Sequence, residues 1–123
     1  MNFSKKVKEM SNLPLIGGAV SGPSFLPAAE VTKCTTFRQI VRLSWTHRRV
    51  KGMTLRTLAE SIGAYPSHVS DYLQADDKPS RRDLPAERLN DWAAVVGNWG
   101  IHQWLAYQSN LTFMEEVIAQ RAA

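Results

Sequence analysis

From residue 36 onward the apolar positions recur at helical spacing. Phe37, Ile40, Val41, Ser44 and Trp45 follow an i, i+3, i+4, i+7, i+8 pattern. That predicts a helix with one buried face, capped by Thr35 or Thr36, running to about Val50 and stopped by Gly52. Leu55, Leu58, Ala59 and Ile62 form the stripe of a second helix, capped by Thr54 and halted at Gly63. Pro66 opens a third at the first helical position, where its missing amide costs nothing, and Val69, Tyr72 and Leu73 supply the inner face. Residues 74–84 are charged and lack apolar periodicity, so they read as a loop. Pro85 starts a fourth predicted helix that ends at Gly97, with Leu89, Trp92, Ala93 and Val96 inward. A fifth covers roughly 101–108 and carries Trp104, Leu105 and Tyr107. Thr112 and Glu115 have capping-box spacing, which predicts a separate last helix over 112–121 with Phe113, Met114, Val117 and Ile118 on one side. No segment alternates with period two for long enough to be a strand. The expected fold is all-α, with five or six short helices.

The amino-terminal part is different. Lys5, Lys6 and Lys8 precede an apolar stretch at 13–29, but Pro14, Gly17, Gly18, Gly22, Pro23 and Pro27 interrupt it. A secretory signal needs an unbroken apolar region that can become helical, so this stretch reads instead as a flexible leader. The expected organisation is a leader at 1–32, a domain at 33–108 and a C-terminal helix at 109–123. With 123 residues, 44% of them apolar, the chain can bury one core and not two. No run of 18 uncharged apolar residues exists to span a membrane as a helix. Cys34 is the sole cysteine, which excludes an internal disulfide and fits a reducing, cytoplasmic setting.

Charge narrows the function classes. Between Glu30 and Glu60 there is no acidic residue, while Lys33, Arg38, Arg42, Arg48, Arg49, Lys51 and Arg56 are all cationic. A one-sign segment this dense attracts polyanions. Catalysis has little support. His47, His68, His102 and Cys34 are far apart with no metal-ligand spacing, and Gly17-Gly18 is not followed by the residues of a phosphate loop. Asp76-Asp77 reads as a solvated pair in the loop. No enzyme activity, metal or cofactor is expected.

The second and third predicted helices, joined by Gly63-Ala64-Tyr65-Pro66, have the dimensions of a helix-turn-helix. Such a hairpin needs a very small residue where the helices cross, a residue tolerant of positive φ in the turn, and a branched plug between them. Ala59, Gly63 and Val69 meet those demands, with Leu58, Ile62 and Tyr72 completing the motif core. The run TLRTLAESIGAYPSHVSDYL at 54–73 resembles the helix-turn-helix of lambda-repressor-like (Xre/Cro-type) DNA-binding proteins. KPSRRDLPAERL at 78–89, with Trp92 to Leu105 after it, looks more narrowly like prophage-encoded transcriptional regulators. Together the resemblance covers about residues 35–108. It departs from the family's pattern at Tyr65, where a Ser or Thr cap is usual, and in a recognition helix that lacks Arg and Lys but carries Asp71.

The resemblance implies a transcriptional repressor that binds a palindromic operator in double-stranded DNA as a homodimer. Tyr65, Ser67, Ser70, Asp71 and Gln74 would then face base edges. Thr54 and Arg56, with Arg48, Arg49, Lys51, Lys78, Arg81 and Arg82, would hold phosphates. Phe113, Met114, Val117 and Ile118 are the candidate dimer interface. Two rival readings use the same fold: a protein-binding module, such as an antirepressor or host-factor inhibitor, and a DNA-binding antitoxin. The neutral recognition helix and the acidic stretch after residue 60 speak for the first rival.

Overall fold

The computed structural model describes residues 22–122, without the side chains of 111–115 and Ala122. The elements in chain order are α1 (Ala28–Lys33), α2 (Phe37–Thr46), α3 (Leu55–Ile62), α4 (Pro66–Tyr72), a 3-10 turn (Ala86–Arg88), α5 (Leu89–Val96) and α6 (Gly100–Ala122). Among the described residues there is no strand, only an isolated parallel bridge between Ser24 and Asn98. The all-α expectation holds.

Local chemistry explains most of the boundaries. Thr36 and Thr54 open α2 and α3 with side-chain oxygens that accept from the Gln39 and Thr57 amides. Gly63 closes α3 at φ 72°, a conformation that side chains with a Cβ resist. The predicted stripes are the ones buried. Ile40, Leu58, Ala59 and Val69 are all fully buried, and Val41, Ile62, Tyr72, Trp92, Val96 and Ile101 join them in one continuous core.

A polar cluster sits inside that core. Trp92 Nε1 donates to Ser44 Oγ at 3.0 Å, and Ser44 Oγ donates to Asn98 Oδ1 at 2.8 Å. Asn98 Nδ2 then donates to the carbonyls of Ser44 (3.0 Å) and His47 (3.3 Å). Arg48 takes the Trp45 carbonyl and Lys51 Nζ the Thr46 carbonyl. Every carbonyl from residue 44 to 47 thus has a side-chain donor, as the orphan groups of a helix end require. This is why α2 ends at Thr46 rather than near Val50, and why Gly52 has no part in stopping it.

Three other expectations need correction. Residues 22–32 belong to the packed structure instead of the leader. Ser24 exchanges backbone hydrogen bonds with Gly97 and Trp99, Leu26 does so with the Gln103 amide, and α1 buries Val31 completely. The helix predicted at 85–97 is split, because Arg88 leaves the helical region (ψ 0°) between the 3-10 turn and α5. The helices predicted at 101–108 and 112–121 are a single α6. Ser109, Asn110 and Leu111 separate them, and none of these forces a break as Gly or Pro would. At about 34 Å this helix outruns the core, and its side chains from Ala106 to Asn110 are exposed.

Candidate nucleic-acid interface

The hairpin of α3 and α4 assembles as its spacing demands. Ala59 lets the helices approach, and Val69 fills the space between them. Arg88 closes the hairpin from outside by donating to the Ile62 carbonyl, with its guanidinium against Gly63. Tyr65 stands at the N-cap of α4 with no side-chain cap bond, so Pro66 alone sets the start.

Of the five expected base-facing residues, Ser67 and Tyr65 are exposed, and Tyr65 lies edge-on to His68 at 5.1 Å. Ser70 and Gln74 are half-buried and line a concavity of about 290 Å³. Its other walls are Arg42, Trp45 and Thr46 of α2, Leu55 of α3 and Leu73. Gln74 folds its amide back onto the Ser70 carbonyl at 3.2 Å, so pairing an adenine edge would first require releasing that bond. Asp71 is already engaged within the fold. Its side chain is only 20% exposed, with one carboxylate oxygen 3.2 Å from Arg81 and the other 3.5 Å from Arg82.

The expected phosphate contacts divide in the same way. Thr54 caps α3, and Arg56 in the first turn is 81% exposed, with Glu60 3.5 Å away as an i, i+4 partner. Exposed pairs of that kind are weak, so this arginine can be recruited by a stronger anion. Arg48 stacks over the Trp45 ring at 4.3 Å while holding the Trp45 and Lys51 carbonyls. Lys51 is turned to the end of α2, and Arg49 bonds the Gly22 and Gly97 carbonyls beside the junction of α5 and α6. Gly97 has φ 90°, and a Cβ there would lie 2.8 Å from that of Arg49. Arg48, Arg49 and Lys51 therefore serve the fold before any ligand. Lys78 is exposed, 3.9 Å from Asp76, and Arg81 bridges Asp71 and Asp76. The Arg81 hydrogen bond holds the Asp76 carboxyl below the usual carboxylate range.

Two arginines gain roles that their place in the basic run did not single out. Arg42 is exposed and shares the concavity with Ser70 and Gln74. Arg38 is 4% exposed and acts as a strut. It donates to the Asp71 and Arg82 carbonyls and pairs with Asp77 and Asp83, fastening the 74–84 loop to α4. Helical periodicity does place Arg38 next to the buried Val41, but an arginine on that edge reads equally as solvated.

Of the expected dimer residues, Val117 is half-buried and Ile118 is 64% exposed, while the side chains of Phe113 and Met114 lie outside the described residues. No group of three or more His, Cys, Asp or Glu among the described residues could hold a metal ion, and no helix there is long and apolar enough to cross a membrane. No protein-family model, curated protein or solved structure matches the chain.

Proposed function

We propose that the chain is a sequence-specific double-stranded DNA-binding protein of the lambda-repressor-like type, acting as a transcriptional regulator. The observation that carries this reading is the α3–α4 hairpin. Its core is closed by Ala59 and Val69 and its turn is set by Gly63 at φ 72°. Around it, Ser70 and Gln74 border an open concavity flanked by Arg42, with Ser67 exposed on α4 and Arg56 exposed at the start of α3. In this reading α4 enters the major groove. The amides at the start of α3, with Thr54 and Arg56, meet the phosphate backbone. Arg42 joins them from α2. One short helix covers few base pairs, so the operator is a two-fold repeat held by a homodimer, with the exposed end of α6 as the contact between copies.

The test is a salt titration of binding to duplex DNA. The wild-type protein retains DNA at low salt and releases it steeply as salt rises. Arg56→Ala weakens binding across all sequences and lowers the slope of log K against log salt by about one. An unchanged slope removes Arg56 from the interface. A wild-type protein that retains no duplex at low salt removes the DNA reading in favour of a protein-binding module.

A further inference from the structure

If α4 reads bases, it does so without a cation of its own, since Pro66–Tyr72 contains no Lys or Arg. The structure brings one to its flank. Asp71 Oδ2 holds Arg82 Nη1 at 3.5 Å, and the Arg82 side chain remains 58% exposed. Arg38 secures both ends of that contact, because the same buried guanidinium donates to the main-chain carbonyls of Asp71 and Arg82. It also meets the neighbouring Asp83 carboxylate at 3.1 Å. The positions of helix and loop are therefore fixed relative to each other.

Arg81 and Arg82 are not equivalent. Arg81 is 29% exposed and spends its donors on two carboxylates, those of Asp71 and Asp76. Arg82 engages Asp71 through Nη1 alone, and its Nε and Nη2 have no partner among the described residues. Those two nitrogens present parallel N–H groups, the fork that fits O6 and N7 of guanine in the major groove.

We propose that Arg82, steadied by Asp71, reads a guanine beside the bases met by α4. Asp71 is then a positioning residue and not a base contact itself. The inference rests on the DNA reading above and adds a specificity-determining residue to it. Charge accounting favours base over phosphate. Asp71, Asp76, Asp77 and Asp83 offset Arg38, Lys78, Arg81 and Arg82, so the cluster as a whole attracts a phosphate weakly. An open Nε–Nη2 edge on a guanidinium held near the helix, by contrast, suits a planar pair of acceptors, whereas a phosphate accepts from many directions and needs no such edge.

The experiment selects bound duplexes from a pool with a randomised centre, using the full-length wild-type protein, Arg82→Ala, Asp71→Asn and Arg81→Ala. Circular dichroism checks that each variant is folded. The expected wild-type motif contains a guanine whose discrimination over the other bases falls on the order of tenfold or more in Arg82→Ala, with the rest of the motif intact. Asp71→Asn shows a smaller loss at that same position, a readout that general weakening of the fold would not produce. Arg82→Ala keeps most of its surroundings because its side chain is exposed, so it remains informative even where Asp71→Asn is unstable. Three outcomes overturn the inference: Arg82→Ala weakens all sequences equally, its motif is unchanged, or folded Asp71→Asn keeps full discrimination at the guanine. Those outcomes leave the DNA reading standing. A wild-type protein that enriches no motif and retains no duplex fails that reading instead, and the inference with it.

Discussion

His102 sits near the start of α6 with Nε2 2.8 Å from Asn90 Oδ1 and its ring edge-on to Trp99 at 4.9 Å. Its Nδ1 is buried without a hydrogen-bond partner among the described residues. Burial lowers its pKa from the ordinary 6.5, because the imidazolium would lose hydration there. The unfolded chain therefore takes up a proton here before the folded one does. The stability associated with neutral His102 is present above the unfolded value and is lost as pH falls through it toward the folded pKa. Thermal melts of wild type and His102→Gln from about pH 7 to pH 5 should show the wild type losing more melting temperature across that window. Parallel curves would mean that the ring is hydrated when protonated. The same physics applies to Cys34, where burial pushes the thiol pKa up and so keeps the reactive thiolate scarce.

Among the elements, the two helices of the hairpin are started by different means. Thr54 gives α3 an oxygen that satisfies the Thr57 amide, whereas Tyr65 gives α4 nothing comparable. Replacing Thr54 by Ala should cost about 1 kcal/mol, and Tyr65→Ser should return a gain of similar size by supplying the missing acceptor. Urea denaturation of both variants measures this. A Tyr65→Ser protein less stable than wild type would show that the Tyr65 ring contact with His68 outweighs the cap. The caps at Thr36 and Thr54 and the stop at Gly63 were legible in the sequence because each acts within four residues. The end of α2 was not. Its carbonyls are taken by Arg48, Lys51 and Asn98, the last of which lies about fifty residues away along the chain.

For the whole molecule, the cluster of Trp92, Ser44 and Asn98 joins α2, α5 and the start of α6 through one set of buried hydrogen bonds. Removing a member strands the others without water to replace it. Asn98→Ala should destabilise by about 2–4 kcal/mol, since it frees the Ser44 and His47 carbonyls and the Gly100 amide together. Ser44→Ala combined with Asn98→Ala should cost less than the sum of the two, a coupling that a double-mutant cycle in urea reads directly. Strict additivity would mean that the two side chains act independently. The charged counterpart near the other end of α2 is Arg38, which ties the loop to α4 as this cluster ties α2 to α5 and α6.

Periodicity, caps and glycine placement were enough to determine an all-α chain, its hairpin and the inward faces of α2 to α5. These depend on contacts within a turn or two of helix, where spacing alone decides which side chains share a face. Tertiary structure decided which cations are committed elsewhere. Arg38, Arg48, Arg49, Arg81 and Arg82 look alike in a linear count of charge. Only folding assigns the first to a buried strut, the next two to backbone carbonyls and the last two to the Asp71 carboxylate, with the Arg82 side chain still 58% exposed. The reason is reach. A long flexible side chain finds its partner across the fold, and the identity of that partner is set by which segments the core brings together.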